Sequence, residues 1–446
     1  MRLLRAAAII ALATAAFLPA QKKPPQNKPP QNKPPFVFNK SDLKVLEECA
    51  ALDRRFETRA LVFHDAAIEE HFADLTSRLR PAQPLEHVAW NLHILRNPTA
   101  SAFALPNGSI YLDTGLLARA ENDDQVFGTL AHEIAHVTER HAYLYARSLR
   151  KSVVGTTVFA AGSYYFTGIY GFFLLNWAAG RPDEVGLMDA VLGYRRDYEE
   201  QADQSAVEQM KKAGRDPVQL ARFSLILDEK IEPQPIPFLR HDQPVLRDRV
   251  NYLKRLVGVQ QDPGPGEDGG YVARVKSAIL QDIQLDLNTR QFRSAVAGAQ
   301  RLQSASPNDA LAIYWLGESY RSLGPRDVRL TGRELKPDAQ RTEYREEAGH
   351  SEQEEASRLA ATPEGKAALV TNQRMAEDLF RQASGVDPSL AEPYFGLGAL
   401  YEQQGKREAA VEAYRKYIEL CPQPADRERA KRRVDELTRS LPGTVK

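Results

Sequence analysis

The segment HEIAHVTERH, which begins at His132, holds three of the nine histidines of this 446-residue chain. His132 and His136 are four positions apart, so on an α-helix they lie on one face and can bind the same metal ion. Glu133 lies beside them and could take a proton from a water molecule at that metal. The pattern predicts a catalytic zinc site, although the motif alone leaves a solvated polar helix face as an alternative.

A helix must hold these side chains, and the sequence predicts one. Asn122 and the two aspartates after it can cap a helix, and apolar residues recur behind them at helical spacing. We expect a single helix from residue 124 to about residue 148. His141 lies nine positions after His132, one short of the spacing of the third metzincin ligand, so we exclude it as a ligand and expect a polar contact instead.

Catalytic zinc needs three protein ligands, so a further ligand must come from elsewhere in the chain. A second predicted helix, Met188 to Ala213, carries Glu199 and Asp203 four positions apart on one face. We predict that Glu199 binds the metal and that Asp203 accepts the outer N–H of a ligating histidine. Such an acidic pair is common on solvated helices, so this prediction depends on the histidine motif.

The same segments resemble a known family. The HEIAH sequence at 132–136, Arg140-His141 and the segment 196–203 resemble the gluzincin zinc metallopeptidases of the CAAX prenyl protease and HtpX type. The resemblance covers roughly residues 40 to 255 and is closest to the exported, BepA-like branch that ends in tetratricopeptide repeats. It implies a bound zinc ion, the two histidines and the glutamate as its ligands, and Glu133 as the catalytic base.

The resemblance also implies a substrate-binding strand. Ala102, Phe103, Ala104 and Gly108 belong to a segment that looks like the family's strand and turn beside the active site. The alternating pattern of Ser109 to Leu116 predicts an edge strand, which could pair with an extended peptide. An ordinary edge strand that binds no substrate fits the pattern equally well.

The chain departs from the family downstream of these motifs. Where relatives have a His-Pro pair, this chain has Gln243-Pro244, with Arg249 at the matching arginine position. His241 lies two positions upstream, and we predict it as a catalytic substitute near the metal. The alternative is an ordinary solvated loop histidine.

The N-terminus has the composition of an export signal. Residues 1–20 combine a basic start, an apolar core and small residues, which predicts a secretory signal peptide, with an uncleaved anchor as the alternative. Residues 21–36 are rich in proline and predict an extended linker. We therefore expect an exported, periplasmic protein.

Composition also limits the classes of partner and the covalent links that the chain can form. Basic and acidic residues number 59 each, so no general basic field exists to hold nucleic acid. The only cysteines, Cys49 and Cys421, lie at opposite ends of the chain, and we expect two unpaired thiols.

A long apolar stretch lies between the two predicted ligand helices. Residues 152–180 contain no charged side chain, but a single membrane crossing there would place His136 and Glu199 on opposite sides of the bilayer. We expect the stretch to fold over the site. The alternative is shallow peripheral contact with a membrane surface.

The second half of the chain is repetitive. The segment DPGPGEDGG interrupts regular structure, so we predict a metallopeptidase domain at 37–260, a linker at 261–270 and a repeat domain at 271–446. Four positions recur after 34 residues, the period of a tetratricopeptide repeat, and a charged insertion is expected near 325–371. The recurring positions are Ala376, Phe380, Ala383 and Pro388, which return as Ala410, Tyr414, Tyr417 and Pro422. Such repeats form a concave face that holds a peptide or protein partner, whereas a generic helical bundle is the alternative.

Together these patterns predict a mainly α fold: an α-helical zincin-type metallopeptidase domain with a small β element, followed by a tetratricopeptide-repeat α-solenoid. The predicted function is that of an exported zinc endopeptidase whose repeats recruit protein substrates or partners, in envelope or outer-membrane protein quality control. The alternative is a periplasmic chaperone or adaptor with a shut or structural zinc site, which the missing His-Pro histidine favours.

Overall fold

The computed structural model describes residues 36–59, 61–151, 196–230, 243–327 and 352–439. The predicted signal peptide, most of the proline-rich linker, the apolar stretch 152–180 and His241 lie outside the described residues. Among the described residues, no helix combines the length and apolarity needed to cross a bilayer.

The first half is mainly helical with one small sheet, as the sequence predicted. Its helices are α1 (Lys40–Thr58), α2 (Ala66–Ser77), α3 (Thr114–Arg119), α4 (Asp123–Thr138), α5 (His141–Lys151), α6 (Arg196–Lys212), α7 (Val218–Lys230) and α8 (Gln243–Val257). Its strands are β1 (Asn91–Leu95), β2 (Ala102–Ala104) and β3 (Ser109–Asp113).

The sheet has the order β1-β3-β2, with β3 parallel to β1 and antiparallel to β2. The prediction that Ser109 to Leu116 forms an edge strand is therefore wrong. All five residues of β3 are buried, and α3 begins at Thr114 directly after the strand. Alternation in the sequence could not distinguish a central strand from an edge, because pairing on both sides involves distant segments. The edge position beside β3 belongs to the shorter β2.

The predicted helix from residue 124 to about 148 is two helices. Asn122 caps α4 by accepting the backbone N–H of Gln125, and α4 ends at Thr138. Arg140 has a left-handed backbone with φ 60°, which turns the chain before α5 begins at His141. A non-glycine residue seldom adopts this conformation, so the sequence carries no breaker that would have marked the turn.

α4 packs closely on α6 and α7. A Cβ atom at Gly128 of α4 would come within 2.9 Å of the Met210 sulfur, so a larger residue there would require the Met210 side chain to shift. Ala206 and Met210 of α6 and Ala221 of α7 are fully buried in the same core. The described part of the second predicted helix begins at Arg196, and the left-handed Gly214 follows its end, as expected of a helix C-terminus.

The described part of the second half is helical. Its helices are α9 (Tyr271–Arg274), α10 (Lys276–Asn288), α11 (Phe292–Ala305), α12 (Ala310–Leu323), α13 (Glu352–Ala361), α14 (Pro363–Val386), α15 (Glu392–Gln403), α16 (Arg407–Leu420) and α17 (Pro424–Arg439). A 3₁₀ turn at Gly324–Asp327 follows α12. A Cβ atom at Gly396 would lie 2.5 Å from the Phe380 ring, and one at Gly398 would lie 2.6 Å from the Tyr414 ring. These close helix contacts explain the small and aromatic positions that recur in the sequence.

The two halves share one hydrophobic core. Tyr271 of α9 and Ile279 of α10 are buried in the same cluster as Leu117 of α3, and the Tyr271 hydroxyl donates to the Leu117 carbonyl. Gly266, in the proline- and glycine-rich segment, lies so close to the Asn122 side chain that a Cβ atom would come within 2.6 Å of Nδ2. Both described cysteines are free and buried, as expected.

Candidate metal centre

Two neighbouring helices bring the three predicted ligands together. α4 presents His132 and His136, α6 presents Glu199, and all three are almost completely buried. The Nε2 atoms of the two histidines lie 3.0 Å apart. Glu199 Oε2 lies 3.3 Å from His132 Nε2, and Glu199 Oε1 lies 3.7 Å from His136 Nε2. Two imidazoles and one carboxylate therefore converge on a single point.

The spacing of these donor atoms suits a metal ion. Ligands about 2.1 Å from a tetrahedral zinc ion are roughly 3.4 Å from one another, close to the separations within the cluster. Glu199 Oε2 is buried and has no hydrogen-bond partner among the described residues. A buried carboxylate oxygen without a donor is costly, and a cation at the shared point would remove that cost. Of the described residues, only this trio meets the geometric requirement for a metal site.

A buried ion pair orients the first histidine. His132 Nδ1 lies 2.9 Å from Asp203 Oδ1, and Arg249 of α8 donates to both oxygens of that carboxylate, at 2.6 and 3.1 Å. Burial alone would raise the pKa of Asp203, but the Arg249 charge and the His132 hydrogen bond lower the pKa to about 2. Because Asp203 is ionised, it accepts the proton of His132 Nδ1, which leaves the Nε2 lone pair for a metal.

A second contact orients the other histidine. His141 Nδ1 lies 3.0 Å from His136 Nδ1, and His141 Nε2 lies 3.1 Å from Gln201 Oε1. Burial and the neighbouring histidines hold the pKa of His136 well below its usual value, so this ring is neutral. His136 can then donate through Nδ1 to His141 and keep its Nε2 lone pair for the metal. His141 is thus a partner of a ligand, and the left-handed turn at Arg140 places it there.

Glu133 lies next to the cluster and is poised near neutrality. Burial raises its pKa to about 7 with help from the Glu199 charge, while His132 and Arg249 act in the opposite direction. Its carboxylate also accepts a hydrogen bond from the backbone N–H of Ala104 in β2. A carboxyl group with this pKa can both accept and return a proton near pH 7.

The comparison with protein families agrees with this geometry. Residues 65–257 match peptidase family M48, and residues 391–424 match a tetratricopeptide repeat. Residues 65–257 form an M48 peptidase domain. The fold class predicted from the sequence, a zincin-type domain followed by tetratricopeptide repeats, is confirmed.

Individual relatives are similar over part of the chain. The chain is 31% identical over 120 residues to the mitochondrial metalloendopeptidase OMA1 of Schizosaccharomyces pombe, covering 25% of this chain and 35% of the relative. It is 23% identical over 214 residues to the beta-barrel assembly-enhancing protease of Escherichia coli K12, covering 46% and 43%. It is 28% identical over 200 residues to a putative beta-barrel assembly-enhancing protease of Vibrio cholerae, covering 42% and 39%. The chain therefore spans less than half the length of each of these relatives.

The M48 domain places the predicted substrate residues at different positions around the site. Ala104 is beside Glu133, and Phe103 packs under the sheet against the Tyr111 ring, with ring centroids 4.9 Å apart. Gly108 has φ 95°, and a Cβ atom there would meet the backbone of Ala89 at 2.7 Å. Glycine is therefore required by the turn itself, whatever its part in substrate binding.

The prediction from the sequence missed two contacts in this M48 domain. Arg249 was noted only as a matching position, whereas the structure buries it against Asp203 and 3.3 Å from His132 Nδ1. His141 was expected to make a polar contact, but not with His136, and the Arg140-His141 pair at the end of the motif was the available signal. His241 lies outside the described residues, so its predicted role stays a prediction.

Proposed function

We propose that this protein is an exported, zinc-dependent metalloendopeptidase. The observation that carries the proposal is the buried convergence of His132, His136 and Glu199 in an M48 domain, with Glu133 beside them. Two imidazoles and one carboxylate form a donor set that catalytic zinc uses, with a further position left for water or substrate. Zinc bound there would supply Lewis-acid chemistry, lowering the pKa of a water molecule and polarising a peptide carbonyl.

Glu133 supplies the proton transfers in this proposal. Its carboxylate lies beside the ligands, where it can take a proton from the attacking water and later deliver it to the amine that leaves. The hydrogen bond from the Ala104 N–H fixes its position. Asp203 and His141 keep the histidine lone pairs directed at the cation, so the residues around the ligands set the geometry before substrate arrives.

The edge strand β2 is the proposed substrate-binding element. Among the residues that the structure describes, β2 pairs only with β3, and it runs next to Glu133 through Ala104. An extended peptide paired with the backbone of Ala102 to Ala104 would place a peptide carbonyl beside the cluster. This binding mode recognises backbone rather than chain termini, which suits an endopeptidase.

The proposed setting is protein quality control in a bacterial envelope. Supporting observations are the export signal predicted for residues 1–20 and the similarity to proteins named beta-barrel assembly-enhancing protease. In this proposal the tetratricopeptide repeats bind protein substrates or partners. A second candidate, a chaperone or adaptor with a shut site, is favoured by Gln243 in place of the family's histidine.

The test compares wild type with Glu133→Gln, and with Glu208→Gln as a control on the exposed side of α6. We expect all three to bind one zinc equivalent, measured by elemental analysis, and only Glu133→Gln to lose casein cleavage, by roughly a thousandfold or more. Proteolysis that survives in Glu133→Gln contradicts the mechanism. Bound zinc with no cleavage by wild type supports the chaperone or adaptor.

A further inference from the structure

Helix α1 contacts the turn between β2 and β3, although it precedes the matched M48 domain, which begins at residue 65. Asp53 of α1 accepts hydrogen bonds with Oδ2 from Asn107 Nδ2, at 2.8 Å, and from Ser109 Oγ, at 3.0 Å. Its other oxygen, Oδ1, accepts the hydroxyl hydrogen of Tyr111 in β3. A single carboxylate from outside the matched domain therefore holds three donors of the turn and of β3.

Asn107 connects this carboxylate to the backbone of the turn. Its Oδ1 accepts the N–H of Ser109 at 3.1 Å, and its own backbone N–H donates to the sulfur of the buried Cys49 on α1. Its carbonyl accepts the N–H of Ala89, which precedes β1, at 2.7 Å. Because a carboxylate only accepts and a backbone N–H only donates, the Asn107 amide has one orientation that satisfies both neighbours. Asp53 thereby selects the conformation of the turn.

Aromatic packing joins α1 to β2 directly. Phe56 is buried against Phe103 of β2 and Tyr111 of β3, with ring centroids 6.3 and 4.9 Å away. Asp53 and Phe56 are three positions apart, so both lie on the face of α1 that meets the sheet. Successive side chains of a strand point to opposite faces, so Ala104 points away from α1 when Phe103 points toward it. The helix thus supports β2 from the face opposite Ala104.

The same turn sets the position of the backbone that meets the metal centre. Leu105 donates its N–H to the Ser109 carbonyl at 2.8 Å. In an antiparallel pair, alternate residues direct their N–H groups toward and away from the partner strand, so Ala104 directs its N–H away from β3. Glu133 accepts that N–H. A slip of β2 by one residue along β3 would take it away from Glu133, and the contacts of α1 with the turn oppose such a slip.

We propose that Asp53 is a positioning residue for the substrate strand. It fixes the turn between β2 and β3, and the turn fixes the register in which β2 presents its backbone to Glu133 and to an extended peptide. Asp53 acts through Asn107 and Ser109, and its hydrogen bonds go to the turn and to β3 rather than to the metal ligands. The inference deepens the proposed function and rests on it in taking β2 as the substrate-binding element.

The experiment measures amide hydrogen–deuterium exchange by mass spectrometry in the full-length protein, together with peptide cleavage. Asp53→Asn keeps the size of the side chain but leaves one acceptor oxygen for three donors. Tyr111→Phe removes only the contact with Oδ1 and keeps both contacts between Asp53 and the turn. Glu47→Gln removes the same charge from an exposed position of α1 and is the control. Thermal unfolding verifies that each variant folds, and competition with a chelator measures zinc affinity.

In Asp53→Asn, we expect exchange to rise roughly tenfold or more in residues 102–109 and to stay unchanged in α4 and α6, because the turn alone loses its charged partner. The KM for an unstructured casein peptide should rise by a similar factor, whereas zinc affinity should stay within about twofold of wild type, since the ligands lie on other helices. Tyr111→Phe and Glu47→Gln should leave exchange in residues 102–109 near the wild-type level.

Unchanged exchange at residues 102–109 in Asp53→Asn would overturn the proposal. An equal rise in β2 and α4 would also overturn it, because that pattern indicates a general loss of stability rather than release of one turn. A local rise with an unchanged KM would show that the turn does not position substrate. The exchange measurement needs no catalysis, so in a protein that cleaves no peptide a local rise would support the hold of Asp53 on β2 and contradict only the proposed peptidase.

Discussion

Two clusters of buried ionisable side chains in the described residues meet their need for positive charge differently. In the metal centre, Glu199 Oε2 has no hydrogen-bond partner among the described residues, and two imidazoles face the same point. In the second cluster, Arg119 of α3 lies between Asp282 and Asp286 of α10, with N–O distances of 3.1 and 3.5 Å. We call these three residues the Arg119 cluster.

The Arg119 cluster contains its own cation, and the buried Asp113 also interacts electrostatically with Asp282 and Arg119. Burial raises the pKa of Asp282 to about 6 even though Arg119 lowers it. Asp282 therefore holds a proton below about pH 6, whereas the metal centre is built to be completed by a metal ion. The comparison teaches that a group of buried carboxylates indicates a ligand site only where donor atoms of several side chains converge on one point.

The largest expected effect comes from removing the carboxylate of the metal centre. Glu199→Gln should weaken zinc binding and reduce peptide cleavage by roughly a thousandfold or more, beyond the 10–100-fold typical of residues behind the ligands. Its metal-free form should be less stable than wild type: although burial opposes a charge on His132, contacts with Asp203 and Glu199 raise its pKa to about 10, and the variant removes one of these partners. Zinc titration and unfolding by urea with and without chelator measure both effects.

Glu208→Gln, on the same helix, serves as the control and should change neither quantity. If Glu199→Gln keeps wild-type zinc affinity, the carboxylate is not a ligand and the comparison between the clusters fails.

In the Arg119 cluster, removal of the arginine should lower the free energy of unfolding and leave zinc binding unchanged. Arg119→Met removes the cation that Asp282 and Asp286 both contact, which should lower the free energy of unfolding by about 3–5 kcal/mol. Adding Asp282→Asn to that variant should restore part of the loss. Urea unfolding followed by circular dichroism gives these values, with Arg415→Met as an exposed control. A loss below about 1 kcal/mol in Arg119→Met would show that the cluster contributes little to stability.

A smaller effect on zinc affinity is expected at Asp203, which contacts the ligand His132. Asp203→Asn keeps the size of the side chain but replaces the ionised partner of His132, so zinc affinity should fall by roughly 10–100-fold. Arg249 would then lose its carboxylate partner, and the unfolding free energy should fall as well. Competition with a zinc chelator measures the affinity. An unchanged affinity would mean that His132 needs no second residue to orient it.

The two clusters also differ in how far the sequence could predict them. The four-residue spacings of His132 with His136, and of Glu199 with Asp203, follow from helix geometry, so both faces could be recognised before their helices were known to meet. Arg119 and Asp282 are 163 positions apart, and neither belongs to a motif. Their pairing depends on how α10 packs against α3, which local patterns do not encode.

The two wrong predictions about the fold, an edge strand at β3 and one continuous helix through Arg140, have a related cause. The central position of β3 depends on pairing with β1 and β2, and the break at Arg140 depends on the contacts that His141 gains with His136 and Gln201. Local propensity favoured an edge strand and a continuous helix at these places. Tertiary contacts override such preferences where a side chain must reach a site.

The smallest expected effect tests whether the Arg119 cluster takes up a proton, in contrast to the metal centre, which binds a metal ion. Asp282 has a folded pKa of about 6, above the ordinary value of 3.8, so the folded state holds its proton more tightly. Its contribution to stability is therefore present below pH 3.8 and lost as pH rises through about 6. Relative to Asp282→Asn, the wild type should lose on the order of 1–3 kcal/mol between pH 4 and pH 7. Urea unfolding of both proteins across this range measures the difference, and Asp435→Asn on α17 is the exposed control. If the wild type instead gained stability over that interval, Arg119 would be matching both carboxylates, and the cluster would need no proton.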